Sequence, residues 1–344
     1  MGLGSNHTGV VVAANFIPEI WSDETIAAYK QRLVLGNLVT KLSFKGKKGD
    51  TLHIPVPARG DPTAKAVNTA VTIIADTAGV VDVAINKHFE YSKLYEDIAE
   101  MQAKASMRAF YTSDAGYSLA RRVDKDLHLV GATFQGGAVA VGTNYETAVI
   151  GGDGSTAFSG AANTNTGNGT ALTDVGIRRM IQTLEDADMD SSELSFVIPP
   201  VEARVLRGIS RFTEQAFVGS GDAIKTGRLG NLYGVEVFTS TNCPWMHVNS
   251  STAEQAVNFS GTTLSSAAYV DELGLTYNLS AGTNTKYRVC MMFHKDALAH
   301  AEQQGIRTQS QYKQEYLGTL VTADTVYGVK ELRDYSGICA VVPA

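Results

Sequence analysis

The stretch GKKGD, residues 46–50, is the first candidate for chemistry, because lysines between glycines can bind a phosphate group. A nucleotide-binding P-loop, however, has four residues between its glycines, follows a strand and opens a helix. Here only two residues separate Gly46 from Gly49, and the alternating run TLHIPVP follows. We therefore interpret Lys47 and Lys48 as turn residues at the base of a strand, with a phosphate- or nucleotide-binding enzyme as an alternative.

The other reactive side chains form no catalytic pattern. Cys243, Cys290 and Cys339 are far apart and include no CxxC pair, so we expect buried thiols in a reducing compartment. The histidines do not cluster, and no HExxH, calcium-loop or GxSxG motif occurs. We expect no catalytic residues, no cofactor and no metal, and therefore no enzyme.

Composition narrows the class of protein further. The 344 residues are 44% hydrophobic but only 19% charged, and a surface with few charges is typical of extensive contact with other proteins. The net charge of −6 argues against a protein that coats nucleic acid. We find no signal peptide and no apolar run long enough to span a bilayer. A secreted surface-array or adhesive protein stays open as an alternative, because the chain has several Asn-x-Ser/Thr sequons: Asn6, Asn168, Asn249, Asn258 and Asn278.

The elements that would position the lysines form a β-ribbon. Leu52, Ile54 and Val56 alternate with polar residues and prolines, which predicts a strand whose proline-bearing edge cannot carry a full hydrogen-bond ladder. We expect its partner in the run from Val80 to Tyr91, with a third extended run, AVNTAVTII, between them. Such a ribbon of about 45 residues is marginal alone and must lie on its own domain or on a neighbouring subunit.

Helical patterns follow the ribbon. We predict helix over most of residues 92–135, with Thr112 or Ser113 as the N-cap of its longest piece. The apolar stripe of that piece is Ala115, Leu119, Val123, Leu127, Val130 and Phe134.

The second half predicts a compact α+β domain. One helix would bury a face of Val175, Ile177, Met180, Ile181 and Leu184. The strand LSFVIPP comes next, and Pro200 opens a helix that ends at Gly208. We expect KYRVCMMFHKDALAHA to be a strand running into a helix, and the C-terminal residues to form strands joined by short turns.

Taken together, the order of these elements resembles the major capsid proteins of tailed bacteriophages of the podovirus type. The resemblance extends from Phe16 to Gly337, and its specificity lies in order and coverage rather than in any catalytic motif. The stretches that carry it are FIPEIWS, GKKGDTLHIPVPARG, INKHFEYSKLYEDIAEMQA, YTSDAGYSLARRVDKDL, GRLGNLYGVEVFTS and YGVKELRDYSG.

The resemblance implies an α+β, Hong Kong 97-like capsid fold with an N-terminal arm, an extended β-ribbon called the E-loop, a peripheral domain with a long spine helix, and an axial domain. The implied divisions are an arm at 1–45, an E-loop at 46–91, a peripheral domain at 92–135 and 301–330, and an axial domain at 136–300 and 331–344. Two Ser/Thr/Asn-rich stretches, near 151–170 and 249–285, have the texture of insertions.

The implied function is that of a structural protein that self-assembles into an icosahedral virion shell around double-stranded DNA. The implied partners are further copies in hexamers and pentamers, a scaffolding protein, the portal vertex, packaged DNA faced without sequence-specific binding, and a decoration protein. We expect no membrane partner, and synthesis in the host bacterial cytoplasm. Candidate intersubunit contacts are the basic residues Lys47, Lys48, Arg59, Lys65, Arg108, Arg121 and Arg122.

Overall fold

The computed structural model describes the base of the N-terminal arm, parts of the ribbon region and much of the remaining chain. The described residues are 33–43, 49–56, 62–71, 73, 79–97, 107–132, 134, 149–154, 169–190, 193–209, 230–249, 255–258, 269–270, 276–277 and 284–343. The strands are β1 (Thr40–Ser43), β2 (Thr51–Val56), β3 (Gly79–Ala84), β4 (Lys87–Glu96), β5 (Val149–Gly151), β6 (Leu194–Ile198), β7 (Asn231–Leu232), β8 (Val235–Thr239), β9 (Trp245–Asn249), β10 (Gln255–Asn258), β11 (Tyr269–Val270), β12 (Thr276–Tyr277), β13 (Asn284–His294), β14 (Leu298–Lys313), β15 (Gly318–Glu331) and β16 (Gly337–Pro343). The helices are α1 (Met107–Gly131), α2 (Asp174–Asp186) and α3 (Pro200–Arg207).

An eight-stranded sheet forms the centre of one half of the molecule. Its main order is β10-β9-β13-β6-β8-β7, with β16 beside β13 and β5 beside β16. Both faces of the central strand β13 are buried, because Val289 and Met291 face one hydrophobic cluster while Cys290 and Met292 face the other. Burial on both faces explains why this strand is a continuous apolar run rather than an alternating one. The expected position of Cys290 on a core strand is confirmed.

Helices α2 and α3 cover one face of this sheet. α2 begins where the Thr173 hydroxyl accepts a hydrogen bond from the amide of Gly176 at 3.1 Å. α3 has Pro200 at its first position and ends at Gly208, as predicted. The expected burial of Val175 is wrong. This side chain is exposed because it lies two residues, or about 200° of helical rotation, from Ile177 at the centre of the buried stripe.

The second sheet has the order β1-β14-β15-β4. β1 runs parallel to β14, with Thr40 opposite Ala299, and the other pairs are antiparallel. The predicted helix after β13 is wrong, since only a short 3-10 turn, Lys295–Ala297, precedes the long strand β14. Pairing with strands on both sides outweighs the local helical preference of this segment. The C-terminal strands β15 and β16 are confirmed.

Helix α1 connects the two sheets. Ala115 and Leu119 near its middle pack with Ala323 of β15, whereas Leu127 and Leu129 near its end join the cluster under the eight-stranded sheet. The predicted stripe is therefore confirmed from Ala115 to Val130, whereas Phe134 is buried but lies beyond the end of the helix. The predicted N-cap is wrong, because the helix already includes Met107 and passes through Thr112 and Ser113, which an α-helix accepts in its interior at small cost.

The ribbon is simpler than expected over the residues that the structure describes. There β2 pairs with β3 alone, and Leu52 lies opposite Val83. The strand expected to run from Val80 to Tyr91 is two strands, because β4 leaves the ribbon and pairs with β15. Residues 92–96, predicted as helix, belong to β4. The third predicted strand is also wrong within the described residues 62–71 and 73, which have turn and irregular conformation.

Candidate assembly interface

The ribbon has a buried base and an exposed end. Leu52 and Ile54 pack at the base with Val83, Ile85 and Ala301 in a small hydrophobic cluster. His53 and Asp82, on opposite strands, are joined by a side-chain contact on the exposed face. The period-two pattern of β2 therefore does bury one face against the chain's own body, but only near the base of the ribbon.

Beyond that base the apolar residues face outward. Val67, Val71 and Ile73, in the segment between β2 and β3, are 89%, 70% and 90% exposed, and Val56 and Val80 at the ends of the strands are exposed as well. Several exposed aliphatic side chains in one segment and in the strands beside it are unfavourable for an isolated chain and are typical of a contact surface. We call this set, Val56, Val67, Val71, Ile73 and Val80, the ribbon surface.

A second projection is the hairpin formed by β14 and β15. Asp324 on β15 receives a bidentate pair of hydrogen bonds from Arg307, Nε to Oδ1 at 2.8 Å and Nη2 to Oδ2 at 3.0 Å. Gln304 donates to the same carboxylate at 2.8 Å, and His88 of β4 lies 3.3 Å from it. These hydrogen bonds, Arg307 first, hold the pKa of Asp324 below its usual value. The carboxylate is therefore ionised at physiological pH and links strands β4, β14 and β15 through these contacts.

The end of this hairpin also exposes apolar groups. Tyr316 and Leu317 are exposed, and Leu317 adopts a left-handed backbone conformation, with φ of 44°, that leucine rarely takes. The Tyr312 hydroxyl donates to Asp97 at 2.9 Å, which ties the hairpin end to the residue after β4.

Of the basic residues proposed as contacts, three have side chains within the described part of the chain: Lys65, Arg121 and Arg122. Lys47, Lys48 and Arg59 lie outside the described residues, and Lys65 is exposed within the ribbon segment. The side chain of Arg108 also lies outside the description. Arg121 is half-buried on α1.

Arg122 is engaged within its own chain. Its guanidinium lies 3.0 Å from Asp126 and stacks over the ring of Phe89 at 4.6 Å. This position favours a structural role within the subunit over an intersubunit contact.

Two buried aspartates on α1, Asp124 and Asp126, were not singled out by the sequence analysis. Asp126 is fully buried and meets Lys87 at 3.1 Å, Arg122 at 3.0 Å and the Tyr327 hydroxyl at 2.7 Å. Asp124 is equally buried and binds groups outside the four-stranded sheet. No local signal marks either residue, since their partners lie up to 201 residues away in sequence.

The described residues do not offer an activated nucleophile. All three cysteines are buried free thiols, as the sequence predicted. Burial raises the pKa of Cys243 to about 12, and it also raises the pKa values of Cys290 and Cys339, so none is a thiolate at neutral pH. Within the described part of the chain, no cluster of three metal-ligating side chains occurs and no helix is long and apolar enough to cross a membrane.

Comparison with known proteins gives a match in structure only. No protein-family model matches the chain, and no curated protein is significantly similar to it. Among solved structures, the capsid structure of cyanophage P-SCSP1u aligns over 99% of this chain and 96% of its own, with a TM-score of 0.70 and 16% identity. A structure of Mycobacterium phage Che8 aligns over 95% and 97%, with a TM-score of 0.65 and 21% identity. The capsid of Ralstonia phage GP4 aligns over 95% of each chain, with a TM-score of 0.62 and 14% identity. The chain therefore has a mixed α+β fold that it shares with phage capsid structures.

Proposed function

We propose that this chain is the major capsid protein of a tailed bacteriophage, a structural subunit whose copies assemble into the icosahedral shell around the double-stranded DNA genome. The observation that carries this proposal is the end-to-end structural match to a phage capsid chain, which covers 99% of this chain and 96% of the other. The match spans nearly the whole of both chains, so the similarity is not limited to one shared domain.

In this proposal the fold is Hong Kong 97-like, and its parts correspond to elements of this structure. The ribbon of β2 and β3 with the intervening segment is the E-loop, and α1 is the spine helix. The four-stranded sheet belongs to the peripheral domain, and the eight-stranded sheet with α2 and α3 is the axial domain. Residues 1–45 are the arm.

The ribbon surface supports self-association. Its side chains are far more exposed than the leucine and isoleucine that anchor the ribbon base, so the gain from covering them is available only to a partner. We propose that this partner is the neighbouring copy in a hexamer or pentamer. A net charge of −6 suits a wall that faces packaged DNA without binding its sequence.

The remaining expected partners, a scaffolding protein, the portal vertex and a decoration protein, stay part of the proposal as they follow from the same class of particle. So does the location in the virion, with synthesis in the host bacterial cytoplasm.

Electron microscopy of the expressed protein tests the proposal, alone and together with co-expressed phage neighbours. We expect closed, uniform shells. The variant Ile73→Asp should fold, with an unchanged circular dichroism spectrum, but should fail to close shells, because it places a charge in the centre of the ribbon surface. Val175→Asp, the same kind of change at an exposed aliphatic residue on α2, is the matched control and should still assemble. A chain that stays monomeric under every condition would contradict the proposal.

A further inference from the structure

The base of the N-terminal arm is held by a carboxylate from a distant helix. Asp124 of α1 accepts hydrogen bonds from the backbone amides of Val34 at 3.1 Å and Leu35 at 2.8 Å, both through Oδ1. The 3-10 turn Leu35–Asn37 that begins here has no side-chain cap of its own. Amides at the start of a helical turn need an acceptor when they are buried. Asp124 supplies that acceptor across 89 and 90 residues of sequence.

The other oxygen of the same carboxylate faces the eight-stranded sheet. Asn242, in the turn between β8 and β9, donates its amide to Oδ2 of Asp124 at 2.7 Å. This turn is itself held in place by two further hydrogen bonds. The backbone amide of Asn242 donates to the Ser240 hydroxyl at 3.1 Å, and the side chain of Arg288 on β13 donates to the backbone carbonyl of Thr241 at 3.4 Å. One buried side chain thus touches three parts of the chain: the arm base, α1 and the eight-stranded sheet.

The immediate surroundings keep this carboxylate buried. His128, one helical turn further along α1, donates from Nδ1 to the carbonyl oxygen of Asp124 at 2.7 Å, and the same nitrogen lies 3.4 Å from the carboxylate. Both side chains are essentially inaccessible to water. A buried carboxylate is stable only when donors surround it, so each of its bonds to the arm and to Asn242 has a structural consequence.

Packing alone does not fix the arm base on every side. A cavity of about 410 Å³ lies between Leu33, Gly36 and Asn37 of the arm base and the residues of α1, β14 and β15 that face them. Asp124 is one of the residues that line it. The hydrophobic side chains of Val34 and Leu35 are buried in a hydrophobic cluster. Because the cavity leaves part of the arm base unpacked, the hydrogen bonds to Asp124 help to set its direction, together with this burial and the pairing of β1 with β14.

We propose that Asp124 is the positioning residue that fixes where the N-terminal arm leaves the subunit and keeps that direction in register with the eight-stranded sheet. The role in assembly rests on the proposed function: if the arm reaches neighbouring copies, the direction set at Val34 and Leu35 determines which surface it meets. The positioning itself is a property of the single subunit and does not depend on a shell.

Hydrogen exchange on the unassembled full chain tests the positioning, read by mass spectrometry in peptides that cover residues 33–39. Asp124→Ala should speed exchange of the Val34 and Leu35 amides by about 10- to 100-fold, the equivalent of one or two charge-assisted hydrogen bonds. Asp124→Asn keeps one acceptor oxygen and should show a smaller increase, which also covers the case in which the alanine variant does not fold.

The matched control is Asp126→Asn. Asp126 lies on the same helix, is equally buried and makes charge-assisted bonds, but all of its partners are outside the arm. We expect it to lower global stability without accelerating exchange at 33–39 beyond the rest of the chain. Equal local acceleration in the Asp124 and Asp126 variants would overturn the proposal.

Particle morphology separates this inference from the proposed function. If wild type forms closed shells and Asp124→Asn forms irregular ones while Asp126→Asn does not, both proposals gain support. If wild type forms no shells but local exchange still responds to Asp124 alone, the positioning role stands and the capsid function fails. Regular shells from Asp124→Asn, despite accelerated exchange, would overturn the role of Asp124 in assembly.

Discussion

The buried hydroxyl of Tyr327 allows a direct measurement of what a buried polar contact at the four-stranded sheet contributes to the free energy of unfolding. Its ring is fully buried on β15, and its hydroxyl donates to Oδ2 of Asp126 at 2.7 Å. The change Tyr327→Phe removes one oxygen and keeps the ring, which contacts Phe89 at a centroid distance of 6.1 Å. It therefore removes the hydrogen bond of this hydroxyl to the buried charge of Asp126, together with its weaker interaction with Arg122.

The expected loss in the free energy of unfolding is about 2 kcal/mol. A hydrogen bond to a charged group contributes roughly 1.5–3 kcal/mol. The loss stays within that range because Lys87 and Arg122 still compensate the charge of Asp126, at 3.1 Å and 3.0 Å. Removal of all the donors would be more costly, since it would leave a buried carboxylate without partners.

Urea unfolding followed by circular dichroism measures this loss, and Tyr312→Phe is its matched control. Tyr312 also donates to an aspartate, Asp97 at 2.9 Å, but the tyrosine is 47% exposed. Water replaces the lost bond there, so we expect a much smaller change in the free energy of unfolding than at Tyr327. Equal changes at the two sites would refute the reasoning that burial decides the value of the bond.

The same variant has a signature at alkaline pH. Burial, and then the neighbouring Asp126 carboxylate, raise the pKa of Tyr327 above its ordinary value. Because the folded-state pKa lies above the unfolded one, the contribution of the protonated hydroxyl to the free energy of unfolding is complete below about pH 10 and is lost as the pH rises beyond it. The free energy of unfolding of Tyr327→Phe should therefore fall less steeply above pH 10 than that of wild type.

Three further changes test other parts of the structure. Burial lowers the pKa of His128, so the free energy of unfolding should be unaffected by this group above about pH 6.5 and should fall as the pH drops below it. His128→Asn should reduce the difference between the free energies of unfolding measured at pH 7.5 and 5.5. Gly337→Ala would place its new methyl 2.6 Å from the buried ring of Phe134 and should lower stability by about 1–3 kcal/mol, which Phe134→Leu in the same chain should partly restore. Asp324→Asn should speed amide exchange in the β14–β15 hairpin, because it removes the acceptor of the Arg307 hydrogen bonds. Global stability should change by less than about 1 kcal/mol, because Arg307 is exposed to solvent. An unchanged exchange rate in the hairpin would contradict the role of Asp324 in linking its strands.

Elements with a strong local signal could be predicted from the sequence. Alternation identified β2, and a continuous apolar run identified β6. Pro200 and Gly208 set the ends of α3 because each acts on the backbone next to it. The stripe of α1 was correct for the same reason, since helical periodicity depends on a window of neighbouring residues.

Errors arose where a distant partner decides the conformation. The first residues of β14, Leu298 to Ala301, were taken for part of a helix because the local sequence carries no information about β1 and β15, which pair with this strand from positions far away in sequence. The run from Val80 to Tyr91 was read as one strand, although its two halves belong to different sheets. Periodicity indicates that a segment is extended, but it cannot indicate which partner the segment takes.

The two buried aspartates show that distant partners also decide the environment of a candidate site. They explain in addition how α1 makes specific contacts with both sheets. Asp124 and Asp126 are two residues apart, which on an α-helix corresponds to about 200° of rotation, so their side chains leave nearly opposite sides of α1. One side meets Asn242 and the arm base, and the other meets Lys87 and Tyr327 of the four-stranded sheet. Any force that the arm exerts on Asp124 therefore acts on a helix turn that is also fixed to the peripheral sheet. Because both anchors are buried charges with short hydrogen bonds, each fixes its own side of α1 more firmly than apolar packing alone would, Asp124 at the arm base and Asp126 at the four-stranded sheet.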